Sequence, residues 1–105
     1  MITAVVQFKL PKGTKREDMI GVFKATAPNY RGIPGLIRKY YLYGDEGTAG
    51  GAYLWESREA ADAVYTDDWR KMVAERYGSE PEIAYFETPV VVDNVSGDVI
   101  AEAAE

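Results

Sequence analysis

The segment TAGGAYLW, residues 48–55, carries Gly51, Tyr53 and Trp55 at alternate positions. If it is a strand, these three share one face. Glycine weakens a strand, because it loses the most conformational entropy and brings no side chain to pack. Two explanations compete for the Gly50-Gly51 pair. It serves a tight hairpin, or it leaves room for something, a ligand or a second copy, to lie against the sheet beside two aromatic rings. Tyr65 and Trp69 flank the break TDD, where an interrupted helix can open a pocket mouth. Plain amphipathic packing explains the same spacing, and burial in the core explains Trp55 equally well. Arg38 could hold a phenolate or a carboxylate, or make an interface salt bridge instead. Tyr40 and Tyr85 are weaker candidates for the same work. Asp62, Asp67 and Asp68 would serve as a base if partly buried, but as helix caps and solvated residues they need no such role.

The chain has no histidine and no cysteine. This excludes disulfides, thiol nucleophiles, Cys/His zinc sites and His-ligated haem. It also removes the side chain that titrates nearest neutral pH. Proton transfer must fall to a carboxylate, a lysine, a tyrosine, an ordered water or the substrate. No D-x-[DN]-x-[DN]-G loop offers a calcium site, and no metal or cofactor is expected.

With 105 residues, 47% hydrophobic and 28% charged, the composition fits one small globular domain. All Lys and Arg lie before residue 77, whereas residues 77–105 hold acids and no base. The expected division is a domain over 1–94 and an acidic C-terminal tail over 95–105. No basic stripe with interleaved aromatics suggests nucleic acid. No apolar run approaches a membrane span and no signal-peptide pattern opens the chain, so the expectation is a cytoplasmic protein without membrane contact.

The elements that must position these residues follow from periodicity. ITAVVQFKL alternates as a half-buried strand. TKRE supplies Thr14 and Glu17 as a capping box for a helix carrying Met19, Ile20, Phe23 and Ala27, which Pro28 ends or kinks. LIRKYYLY and GAYLWE form a hairpin around GDEGTAG. Ser57 caps the next helix, Asp67 can cap its continuation, and Gly78 stops it. EIAYFET is a fourth strand, and VVVDN after Pro89 a short fifth. The order β-α-β-β-α-β is the ferredoxin-like α+β arrangement, an antiparallel sheet with helices on one face. Apolar side chains on the other face call for a cover, and a second copy is the simplest one. Val90–Asp93 is expected to pair with an edge strand of that second copy.

The hairpin GLIRKYYLYGDEGTAGGAYLWES, and AGGAYLW at 49–55 above all, resembles the YdhR-type monooxygenase family of the dimeric α/β-barrel superfamily. The antibiotic-biosynthesis monooxygenases are more distant relatives. The resemblance runs from Met1 to about Asn94 and includes Glu87-Thr88-Pro89 before the last strand. It implies a homodimer with facing sheets and, in each subunit, a cavity between sheet and helices.

It also implies a cofactor-independent monooxygenase. Such chemistry needs a small electron-rich aromatic such as a phenol, quinol or anthrone, which once deprotonated passes an electron to O₂. The protein supplies a dry pocket, a base and donors for the anion. Trp55, Tyr53, Tyr65, Trp69, Arg38 and Gly51 are then the expected substrate-binding residues, with no catalytic residue assigned. A non-catalytic ligand-binding dimer and a lactone or enol isomerase of the same superfamily fit the same residues.

Overall fold

In the computed structural model, which describes residues 1–101, the strands β1 (Ile2–Lys9), β2 (Leu36–Tyr43), β3 (Thr48–Trp55) and β4 (Glu82–Glu87) form one antiparallel sheet in the order β2-β3-β1-β4. The expected ferredoxin-like α+β architecture is therefore present. Alternation along β1 sends Ala4, Val6 and Phe8 into the core. Thr3, Val5 and Gln7 take the opposite face. No helix of the described residues is long and apolar enough to cross a membrane.

Helix α1 (Arg16–Thr26) buries Met19 and Phe23. Its cap differs from the expected capping box. Lys15 occupies the N-cap position without a side-chain bond, because the Thr14 hydroxyl donates to the Pro11 carbonyl at 2.6 Å and is spent on closing the preceding turn. At its other end Pro28 falls inside a short 3-10 turn, Ala27–Tyr30. A proline near the start of such a turn loses no needed N–H. The turn ends on Tyr30, which it presents to the sheet.

Ser57 caps α2 (Arg58–Val64) as expected, accepting from the Ala60 N–H at 3.1 Å. Thr66, rather than Asp67, caps α3 (Asp67–Tyr77) by accepting from the Trp69 N–H at 3.2 Å. Asp67 sits one place later, in the first turn, where its charge favours the helix dipole. Gly78 stops α3 at φ 87°, a left-handed conformation suited to glycine.

Beyond β4 the chain forms a separate hairpin of β5 (Val90–Asp93) and β6 (Asp98–Ala101). Part of the stretch 95–105, expected as an acidic tail, thus supplies a strand, and residues 102–105 of that stretch lie outside the described residues. The Asp93 carboxylate accepts from the backbone N–H of Val95 at 3.0 Å and of Ser96 at 3.2 Å. Gly97, at φ 81°, donates its N–H to the Asp93 carbonyl at 2.7 Å. An Asx turn followed by a left-handed glycine reverses the chain, and Val99 and Ile100 are β-prone enough to pair on the return.

Candidate active site

The hairpin β2–β3 sets the site. Its register places Lys39 opposite Tyr53 and Tyr41 opposite Gly51. These four residues face the helices, together with Val6 and Phe8 of the neighbouring β1. Tyr30 comes in from the 3-10 turn, and Trp69, Met72, Val73, Arg76 and Tyr77 from α3. Between them lies a small, partly enclosed cavity with a free volume of about 20 Å³. No carboxylate lines it among the described residues.

Lys39 is the side chain at its centre. Its Nζ stands 3.2 Å from the ring centroid of Tyr30, 3.9 Å from that of Tyr41 and 4.6 Å from that of Tyr53. Burial, and then the nearby charge of Arg76, lower the Lys39 ammonium to a pKa of about 7. The ring faces pull the other way, since a π cloud attracts a cation. The amine is therefore poised between its two forms at neutral pH.

The phenols around it behave differently. Burial pushes the Tyr53 and Tyr65 hydroxyls far above the usual tyrosine range, and pushes Tyr41 and Tyr77 upward too. All four remain protonated donors. Tyr41 and the Thr26 hydroxyl are hydrogen-bonded at 2.8 Å. Because Thr26 gives its own proton to the Phe23 carbonyl, Tyr41 is the donor of that pair. Trp69 Nε1 donates to Tyr30 Oη at 3.2 Å, which ties α3 to the 3-10 turn beside the amine.

Gly51 is explained by this arrangement. A Cβ there would stand 3.0 Å from Tyr53 Cε1, 3.1 Å from the Tyr40 carbonyl oxygen and 3.4 Å from Lys39 Cε. The missing side chain chiefly leaves room for the Tyr53 ring edge and the Tyr40 carbonyl, with the lysine stem just beyond them. Gly50 answers to a different constraint, since its Cβ would collide with the Val6 carbonyl oxygen of the adjacent strand.

Of the residues singled out from the sequence, Gly51, Tyr53 and Trp69 meet at the cavity. Tyr65 forms a second layer, its ring 5.3 Å from Tyr53 and 4.7 Å from Trp69. Trp55 does not reach the cavity. It is wholly buried, and its Nε1 donates to Tyr65 Oη at 3.1 Å. Tyr85 lies against Tyr65, and the Arg58 guanidinium stacks 3.5 Å from its ring centroid.

Arg38 is on the other side of the sheet. Strand alternation sends it, with Tyr40, to the face without helices, where it pairs with Asp93 of the β5–β6 hairpin. Arg38, then the Ser96 and Val95 N–H groups, hold the Asp93 carboxyl below the usual carboxylate range. Asp62 is engaged with Arg58 at 3.0 Å, and Asp67 and Asp68 are exposed in the first turn of α3. None of these carboxylates faces the cavity. Lys39 went unnoticed in the sequence because it stands beside Arg38 in a run that reads as ordinary strand surface.

No family model and no curated protein matches the chain. Solved structures do match its fold. A protein of unknown function from Nitrosomonas europaea superposes with a TM-score of 0.66 at 14% identity, over 83% of this chain and 87% of that one. A monooxygenase from the gene ActVA-Orf6 of Streptomyces coelicolor, in complex with the ligand nanaomycin D, gives 0.62 at 18% identity, over 83% and 86%. SnoaB, a cofactor-independent oxygenase from Streptomyces nogalater, gives 0.60 at 18%, over 83% and 91%. These likenesses define the fold shared with this chain.

Proposed function

We propose that this protein is a cofactor-independent monooxygenase acting on a small electron-rich aromatic, and that it works as a homodimer. The observation that carries the reading is the half-buried amine of Lys39 inside a tyrosine-lined cavity on the helix side of the sheet. The shared fold of ActVA-Orf6 and SnoaB supports it. For an anthrone-like substrate the balance needs no added reductant. A ring CH₂ becomes C=O, one atom of O₂ enters the carbonyl, and the other leaves as water with the two displaced hydrogens. The substrate supplies the electrons. The protein must remove one proton, exclude water and hold the anion while O₂ approaches.

The free volume of about 20 Å³ is too small for an aromatic ring. Entry therefore needs Tyr30, Trp69 or the Lys39 stem to swing aside, and the substrate is one of few rings.

The homodimer rests on the uncovered sheet face, where Tyr40, Leu42 and Phe86 are exposed. Oxygen uptake with a panel of quinols and anthrones, with chelator present and no cofactor added, tests the activity. Uptake matched by oxidised product is the expected result. Product without oxygen consumption makes the protein an isomerase, and binding without product makes it a ligand carrier. Either result overturns the oxygenase reading.

A further inference from the structure

We propose that Lys39 is the general base of this cavity: its Nζ takes the hydroxyl proton of a phenolic or enolic substrate, and the surrounding tyrosine rings then hold the resulting ammonium beside the anion. This rests on the oxygenase reading above and assigns its missing base.

A base must come within hydrogen-bond reach of the proton it removes. Lys39 Nζ is the group around which Tyr30, Tyr41 and Tyr53 converge. Gly51, without a side chain, lies beside the lysine stem, 3.4 Å from Lys39 Cε to where a Cβ would stand.

The alternatives lining the cavity do not qualify. Arg76 presents a guanidinium, which has donors and no acceptor. Tyr41, Tyr53 and Tyr77 are buried phenols whose protons are held more tightly than usual. Tyr30 already accepts from the Trp69 indole. The lining residues of α1, Phe23 and Thr26, and those of β1, Val6 and Phe8, carry no titrating group.

The chemistry fits the amine. With burial and Arg76 opposing its charge, the neutral form is populated at neutral pH. On transfer the substrate O–H bond breaks, an N–H bond forms, and neutral acid plus neutral amine become phenolate plus ammonium. Nothing else enters or leaves. The three ring faces attract the ammonium more than the amine, so they favour the product of the transfer over its reactant. That is the differential stabilisation that a catalytic base requires. A carboxylate in the same place would gain nothing from those rings.

The test separates this assignment from turnover. 2-Naphthol is titrated with protein at about pH 8, above the lysine's titration and below that of a typical phenol. Wild-type protein should hold a fraction of it as the anion, seen as a red-shifted absorption band, because pairing with the ammonium offsets part of the uphill transfer to an amine of pKa about 7. Lys39→Met should bind it as the neutral naphthol, without that band, and lose roughly 10²–10⁴-fold in any oxygenase rate. An anion band of equal strength in Lys39→Met overturns the assignment whether or not oxygen is consumed. An anion band in the wild type with no oxygen uptake leaves the base in place and removes the oxygenase. Should Lys39→Met fail to fold, ¹³C reductive methylation of the wild type gives a second measure. The Lys39 methyl resonance should titrate near neutrality, and titration at the ordinary lysine value overturns the proposal.

Discussion

Trp69 donates its indole N–H to the Tyr30 hydroxyl at 3.2 Å, and this bond joins α3 to the turn after α1 beside the Lys39 amine. Neither residue is fully buried. They form the part of the wall that a substrate can open at least cost, since one hydrogen bond contributes only about 1 kcal/mol net. Trp69→Phe should lower stability by about that much and speed ligand association. Stopped-flow binding of 2-naphthol checks it, and an unchanged association rate would place the entrance elsewhere.

Trp55 separates core from site. Its indole is wholly buried, and its N–H is satisfied by Tyr65. Trp55→Phe removes ring volume and leaves the Tyr65 hydroxyl without its donor. The expected loss is about 1–3 kcal/mol in urea unfolding, with ligand affinity within twofold of wild type. A large affinity loss at unchanged stability would return Trp55 to the binding site.

The two glycines of β3 should respond differently. Gly50→Ala places a Cβ against the Val6 carbonyl oxygen, where only backbone movement relieves it. Gly51→Ala meets a tyrosine edge, a carbonyl and a flexible lysine stem at 3.0–3.4 Å. Gly50→Ala should therefore disrupt the sheet, whereas Gly51→Ala should fold, cost about 1–2 kcal/mol and displace Lys39. Circular dichroism with thermal melts ranks the two. Equal tolerance at both positions would contradict the close approach of β1 and β3.

Much of this fold is legible in the sequence. Alternation in ITAVVQFKL and the stop at Gly78 are local signals, and each corresponds to an observed element, whereas the turn expected over GDEGTAG is shorter because Thr48, Ala49 and Gly50 already belong to β3. Arg38 and Lys39 show where local reading fails. Adjacent strand residues face opposite sides, so one of the two had to point at the helices. Counting back from the turn through Tyr43 and Ala49 reaches Lys39 opposite Tyr53. That register identifies the inward lysine, whereas the planar fork of arginine, the better anion binder by side-chain type, points to its neighbour. The burial of Trp55 and the Tyr30–Trp69 bond depend on how the helices settle on the sheet, which period alone does not encode. The turn DNVSG was readable as an Asx turn with a left-handed glycine, yet the acidic composition around it suggested only a solvated tail.

Lys39 also makes stability depend on pH. Its folded pKa of about 7 lies below the ordinary value of 10.5. Between those values the unfolded chain binds the extra proton, so stability rises as pH increases across this window. Below it, both states hold the proton and the full cost of the buried ammonium is felt. Lys39→Met removes that cost, so its advantage over wild type should be largest near pH 6 and shrink toward about pH 10. Urea unfolding across that range checks the sign. An advantage that grows with pH would mean that the rings outweigh burial at this amine.

The sheet face opposite the cavity leaves large apolar side chains exposed. Tyr40 and Phe86 are each more than half exposed, at 56% and 55%, and the hairpin adds Val90 and Val92 at 53% and 64%. These residues lie on the side where Arg38 meets Asp93, so the hairpin is held beside the open face by an ion pair. A second copy laid sheet to sheet would cover the exposed rings, and the twofold relation is the usual one for such a contact. Within its own chain β5 pairs with β6 along one edge, and its other edge pairs with no described strand of the chain. That edge is free to add to a strand of the second copy, so the hairpin extends the interface instead of hanging from it. Sedimentation at micromolar concentration should show a dimer. Phe86→Glu should split it by placing a charge in the apolar contact, and truncation after Thr88 should weaken it by removing the hairpin. Asp93→Ala gives a finer test. It leaves the apolar residues in place but releases Arg38 and the Val95 and Ser96 N–H groups, so it should weaken the dimer less than the truncation does. If the truncated chain dimerises as tightly as the full one, the hairpin has no part in the contact. If Phe86→Glu leaves the dimer intact, the subunits meet through some other surface.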